Sequence, residues 1–106
     1  FWYGAGWKFW WSSNAEAASG PRGVTAVGVR QELLQFVKSV DVHEYCALVR
    51  VRAAGRDGVV LSIYWPCAHR GPAEFDMAVA QATEALERNV TENSLVIVGG
   101  RFQCPD

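Results

Sequence analysis

Two stretches in the middle of the chain place side chains on opposite faces with a period of two, the spacing of a β-strand. In the stretch from Val42 to Ala53, Tyr45, Ala47, Val49 and Val51 share one face, and Cys46, Leu48, Arg50 and Arg52 share the other. In the stretch from Gly58 to Trp65, Val59, Leu61, Ile63 and Trp65 oppose Val60, Ser62 and Tyr64. Ala54-Gly55-Arg56-Asp57-Gly58 separates them, and its Asp-Gly pair is a turn signal, so a hairpin is predicted here. The period then lengthens. Phe75, Ala78, Val79, Ala82 and Leu86 recur at helical spacing. They predict a helix that starts at Gly71-Pro72, carries Glu74 and Asp76 in its first turn, and runs to about Arg88. Glu84 and Arg88 are spaced for an i,i+4 ion pair. After a polar break from Asn89 to Ser94, Leu95 to Val98 is continuously apolar and ends in Gly99-Gly100. Such a run predicts a strand buried on both faces.

The first third of the chain is less regular. Phe1, Trp2, Tyr3, Trp7, Phe9, Trp10 and Trp11 crowd around Gly4-Ala5-Gly6 and Lys8. Aromatic and β-prone, this segment predicts one or two short strands broken at the glycines, and so dense a cluster needs cover from water. Trp2, Trp7, Phe9, Trp10 and Trp11 are accordingly candidate interaction residues. Ser12 to Gly23 has the small, polar, Gly/Pro-punctuated composition of a loop, and Val24 to Arg30 that of a strand. Gln31 to Ser39 fits a short helix or an irregular packed segment equally well. Strands, a hairpin, a crossover helix and a final strand together predict an α/β (α+β) architecture: part of a layered sandwich, with a mostly antiparallel sheet and one main helix packed on it. Nothing in residues 1–106 suggests an internal repeat or an interdomain linker, so a single domain, or part of one, is expected.

Composition narrows the class of function. The 106 residues are 50% hydrophobic and 20% charged, with a net charge of −1. This is a globular balance, without the basic footprint of a protein that holds many phosphates by charge. Cys46, Cys67 and Cys104 are odd in number and widely spaced, as reduced thiols of an intracellular protein would be. No apolar run is long enough to span a bilayer. The chain opens at Phe1 rather than Met, as a processed product or excised segment would, and its first residues do not have the pattern of a signal peptide. Asn89-Val90-Thr91 fits the glycosylation triplet, a pattern common by chance.

Two segments carry a resemblance: Ser62-Ile63-Tyr64-Trp65-Pro66-Cys67-Ala68 and, one helix later, Leu95-Val96-Ile97-Val98-Gly99-Gly100-Arg101-Phe102-Gln103. They resemble the endonuclease/exonuclease/phosphatase superfamily, in particular the endonuclease domain of non-LTR retrotransposons. There a strand ends in Tyr-x-Pro, a helix follows, and the next strand ends in Gly-Asp-Phe-Asn. The Trp-rich opening with Trp11-Ser12-Ser13, and Arg22-Gly23 leading into a strand, is similar to the upstream region of those domains. The resemblance implies two sheets packed face to face with helices outside, and phosphodiester hydrolysis by a Mg²⁺-assisted water. Here the motif is altered. Arg101 stands at the family's Asp and Gln103 at its Asn, while Gly100 and Phe102 keep the frame. A guanidinium can neither ligate a metal nor take a proton. Tyr64 is the one catalytic family position that keeps its side chain. No residue matches the family's metal-binding Glu: Glu16 lies in the loop and Glu32 after the wrong strand. Neither His43 nor His69 matches its closing Ser-Asp-His.

Other constellations are weaker. His43, Cys46, Cys67 and His69 could approach one hairpin end, but His43 and Cys46 would point to opposite faces, and the spacing fits no zinc pattern. Glu74, Asp76, Glu84 and Glu87 have the spacing of a solvated helix face. The aromatic cluster carries Lys8 alone where base stacking would call for a positive groove. The expectation is therefore a non-catalytic, nuclease-like segment with no cofactor or metal, working through protein contacts that cover an apolar face. One alternative is a Mg²⁺-dependent endonuclease whose remaining residues lie outside this chain. A second is a nucleic-acid binder that no longer cleaves.

Overall fold

The computed structural model describes residues 2–13, 25–66 and 72–102, with backbone alone for Trp2, Arg101 and Phe102. Seven strands form two sheets, and one long helix crosses between the last two strands. The first sheet is an antiparallel meander of β1 (Trp2–Gly4), β2 (Trp7–Trp11) and β3 (Ala26–Arg30). The second has the order β4 (Val37–Val42), β5 (Cys46–Ala53), β6 (Arg56–Trp65) and β7 (Ser94–Phe102). Its first three strands pair antiparallel, and β6 and β7 run parallel. That parallel step needs a crossover, supplied by helix α1 (Pro72–Asn89). The expected α+β class and the mostly antiparallel sheet with one main helix are what the chain adopts.

Three layers result. β3 packs across β5 and β6, so Val27 and Val29 meet Ala47 and Val49, with Trp10, Val40, Val51 and Val60 around them. On the opposite face of the second sheet, Cys46, Leu48, Val59, Leu61 and Ile63 pack under Ala82 and Ala85 of α1. The small residues Ala78, Ala82 and Ala85 are the buried line of the helix. Without long side chains there, the helix can approach the sheet closely. Both faces of the β5–β6 hairpin are thus buried. The chain contributes strands to two packed sheets rather than the bulk of one, and the face expected to lie open is closed by β1–β3.

Several boundaries differ from the sequence expectations, each for a local reason. The hairpin turns at Ala54-Gly55, where φ is 53° and 75°, and not at Asp57-Gly58. These left-handed values give the mirror-image turn that suits the strand twist. Asp57 instead sits in β6, where Arg50 Nε and Nη2 donate to its carboxylate at 3.1 and 2.9 Å. The first hairpin turns the same way at Ala5-Gly6, with φ of 51° and 80°. The ambiguous stretch divides into a 3₁₀ helix at Gln31–Phe36 and the unforeseen strand β4. The strand expected from Val42 begins at Cys46, because β4 ends at Val42 and the chain reverses before β5. The anticipated strand start at Val24 and most of the Ser12–Gly23 loop lie outside the described residues.

The largest difference is β7. Its apolar run was expected to be buried on both faces, yet Leu95, Ile97 and Val98 are 67%, 55% and 54% exposed. β7 is the edge of its sheet, while α1 rests on β5 and β6 and β3 also stops at β6. Among the described residues, no element other than β6 packs extensively on β7.

Candidate functional site

The parallel register brings the two resemblance-bearing segments together. Tyr64 stands beside Arg101 and Trp65 beside Phe102, at the carboxyl ends of β6 and β7. In β–α–β units this end forms the crevice where ligands bind. The side chains there are, however, committed to packing. Tyr64 is 1% exposed. Its ring stacks on Tyr45 at 6.3 Å and joins Ala78 of α1 in a small core. Its amide donates to Tyr45 O at 2.8 Å. The Tyr45 hydroxyl donates to Glu74 Oε1 at 2.7 Å, and the Tyr45 amide donates to Gln81 Oε1 at 2.9 Å. Trp65 packs against Phe75 with ring centroids 5.4 Å apart. A Cβ on Gly100 would lie 2.8 Å from Trp65 Nε1 and 3.1 Å from Ile63 O, so glycine there makes room for the indole. The carboxylate nearest Tyr45 is therefore occupied by a hydroxyl, and the described groups at this end form a packed joint. Gln103, Cys67 and His69 lie outside the described residues.

A second polar cluster ties the far end of α1 to β4. Ser39 Oγ donates to Asn89 Oδ1 at 2.8 Å, and Asn89 Nδ2 donates to Ala85 O at 2.8 Å and to Asp41 Oδ2 at 3.3 Å. His43 Nε2 lies 2.8 Å from Asp41 Oδ1, but off the line a hydrogen bond requires. Beneath it, burial first and Asp41 second push the Cys46 thiol up to about 11, which keeps it neutral and unreactive. Among the described residues no group of three His, Cys, Asp or Glu side chains is placed to hold a metal ion. Glu84 and Arg88 form the anticipated i,i+4 pair at 2.5 Å.

The aromatic opening divides between two faces. Trp10 points inward and packs in the intersheet core. Lys8 Nζ lies 4.9 Å from the Trp10 ring centroid and 5.2 Å from that of Tyr3. On the outer face Trp7, Phe9 and Trp11 form a row with ring centroids 6.3 Å apart. Phe9 lies over Gly28, where a Cβ would come within 2.5 Å of its ring. Of the candidate interaction residues, Trp7 and Trp11 are thus on the surface, Phe9 is half-buried and Trp10 is core; Trp2 contributes backbone to β1 opposite Phe9.

The open edge of β7 is the feature that the sequence did not reveal. Val96 and Val98 face the helix side and Leu95 and Ile97 the other, following their register partners Val59 to Leu61. Asp57 anchors the start of this strand: Ser94 Oγ donates to Asp57 Oδ2 at 3.2 Å and Thr91 Oγ1 at 3.4 Å. Arg50 first, with Ser94 and Thr91, holds the Asp57 carboxyl below the ordinary aspartate range, against a partial desolvation that raises it. No helix of the described chain is long and apolar enough to cross a membrane. Compared with protein-family models, curated proteins and solved structures, the chain has no match.

Proposed function

We propose that this chain is a non-catalytic, nuclease-like segment that works as an interaction or structural subunit of a protein assembly. The observation that carries the reading is β7, a nine-residue strand at a sheet edge with apolar side chains exposed on both faces. An edge of that kind is a template for another strand. The resemblance to retrotransposon endonucleases supports the non-catalytic part: Arg101 replaces the carboxylate at the motif where a metal would need one. The packing of Tyr64 against Tyr45 and Ala78 gives that residue a structural role and argues in the same direction.

The test is a Mg²⁺-dependent nicking assay on supercoiled plasmid DNA. No nicking above a buffer control is expected. Nicking that disappears with Tyr64→Phe would overturn the reading and favour the alternative of a metal-dependent endonuclease completed by residues outside this chain. That alternative has one observation in its favour, the adjacency of Tyr64 and Arg101 at the strand ends. DNA binding that weakens steeply with salt, without cleavage, would instead identify a non-cleaving nucleic-acid binder.

A further inference from the structure

Among the described residues the two sheets have four edges, and three of them are protected. β1 is 3 residues long, too short to template a partner. β3 is 5 residues long and ends at Arg30, which pairs with Glu32 at 3.3 Å. β4 has a break in register between Val37 and Ser39, and the exposed Lys38 stands at that break. Short length, edge charge and bulges are the devices by which edge strands avoid pairing. β7 is the least protected, with a single charge, Arg101, next to its last residue. It is 9 residues long, it follows β6 without a register shift, and it carries no charge from Ser94 to Gly100.

The chemistry of this edge specifies its occupant. A row of backbone N–H and C=O groups calls for an extended strand, because a helix has no unpaired backbone groups along its side to offer. Apolar side chains on both faces call for a partner strand that is likewise apolar and uncharged. β7 itself meets that description. We infer that two copies of this chain join through β7, antiparallel about Ile97, to extend the four-stranded sheet across a twofold axis. The inference rests on the interaction reading above and identifies the partner as the chain itself.

The register follows from sequence and space. Centring the pair on Ile97 sets Ile97 opposite Ile97, Val96 opposite Val98, and Leu95 opposite Gly99. Cross-strand pairs of β-branched residues are favourable neighbours in a sheet. Leu95 is the most exposed of the four apolar residues, and Gly99 is bordered by open space, with nothing within 4 Å of a Cβ built there. Each Leu95 therefore meets the gap at the other copy's Gly99, and the fit is made twice by symmetry, as in any isologous interface. Charge selects the direction. Antiparallel pairing puts the strand end at Arg101 beside Asn93 and the neighbouring Glu92 of the other copy. Parallel in-register pairing would set Arg101 beside Arg101 and Glu92 beside Glu92. Because pairing uses up the open edge of each copy, the assembly closes at two.

Sedimentation velocity on the purified chain over a micromolar concentration series tests this. The weight-average mass should rise from 11.7 kDa towards twice that value. Ile97→Lys should hold it at the single-chain value with an unchanged far-UV circular dichroism spectrum, since the side chain is exposed within the monomer. In a Cys67→Ser, Cys104→Ser background, Ile97→Cys should form an intermolecular disulfide on mild oxidation, and Leu95→Cys should not. A single-chain mass at every concentration, growth beyond two chains, or equal crosslinking of the two cysteine variants would overturn the pairing. The nicking assay reports separately: a doubled mass with nicking keeps the pairing and removes the non-catalytic reading, and a single-chain mass without nicking does the reverse.

Discussion

Replacing one apolar residue with alanine in β6 and another in β7 should separate a strand buried on both faces from an exposed edge. Leu61 is 0% exposed and lies between the helix and the neighbouring strands. Leu61→Ala removes most of a buried side chain and leaves a cavity, at a cost of about 3 kcal/mol within the usual range for such changes. Ile97 is 55% exposed. Fully burying such a side chain is worth roughly 1.5–3 kcal/mol, and somewhat less than half of that is realised here, with no cavity to add, so Ile97→Ala should cost about 1 kcal/mol. The assay is urea unfolding followed by Trp fluorescence, at a protein concentration low enough to keep the chain single. The midpoints should differ between the variants while the slopes stay equal. In thermal unfolding the difference corresponds to a gap of about 10 °C for a domain of this size. Equal losses for the two variants would refute the reasoning, because they would mean that both faces of β7 are covered within one chain.

Gly28→Ala should cost about 1–3 kcal/mol, because its Cβ would fall 2.5 Å from the Phe9 ring. In a Phe9→Ala background the cost should largely vanish, and a double-mutant cycle showing no coupling would refute the contact. The Asp57 carboxyl titrates below its unfolded value, so its contribution to stability is present above the ordinary aspartate range and is lost as pH falls through the depressed value. Amide exchange at the start of β7 should accelerate over that acid window, and Asp57→Asn should abolish the dependence. The Cys46 thiol is raised to about 11, so it stabilises the fold below the ordinary thiol value and ceases to do so as pH rises through the raised one. In a Cys67→Ser, Cys104→Ser chain, the native protein should react with a disulfide reagent at mildly alkaline pH far more slowly than the unfolded one. On the non-catalytic reading proposed above, Arg101→Asp combined with Gln103→Asn should still give no plasmid nicking, since residues 1–106 offer no match to the metal-binding Glu or closing His that the resemblance would require; nicking by that variant would overturn that reading.

How much of this could be seen in the sequence depended on whether the signal was local. The β5–β6 faces were legible because alternation fixes which residues share a side, and the observed cores divide Leu48, Leu61 and Ile63 from Ala47 and Val49 as the alternation does. The helix was legible from its period and its Pro start. β4 was not, because Val37-Lys38-Ser39-Val40-Asp41-Val42 mixes polar and apolar residues around a break in register, which scrambles a period of two. The turn was placed too late because the Asp-Gly pair is a strong signal, while Ala54 adopts a left-handed conformation that its residue type disfavours. At the candidate site, the sequence identified Tyr64 and Arg101 as the residues that mattered for the resemblance. It could not show that Tyr64 is enclosed by Tyr45 and Ala78, since both contacts come from elsewhere in the chain.

The misjudgement of β7 has a more general cause. A continuous apolar run states what a strand's side chains require, which is removal from water on both faces. It does not state who provides the cover. For β5 and β6 the cover comes from within the chain, from β3 on one face and α1 on the other. For β7 no comparable layer is found among the described residues, although Asp57, Ser94 and Thr91 fix its start and Gly100 seats Trp65 near its end. The strand is thus firmly held on the side of β6 and open on its far side. A strand fixed in place but left uncovered stabilises a partner strand without any ordering cost of its own, the condition under which edge addition is most favourable. The apolar sequence of β7 and its exposure are therefore consistent with one another once the requirement for burial is met by a second strand, and the mass of the chain in solution decides whether that strand is another β7.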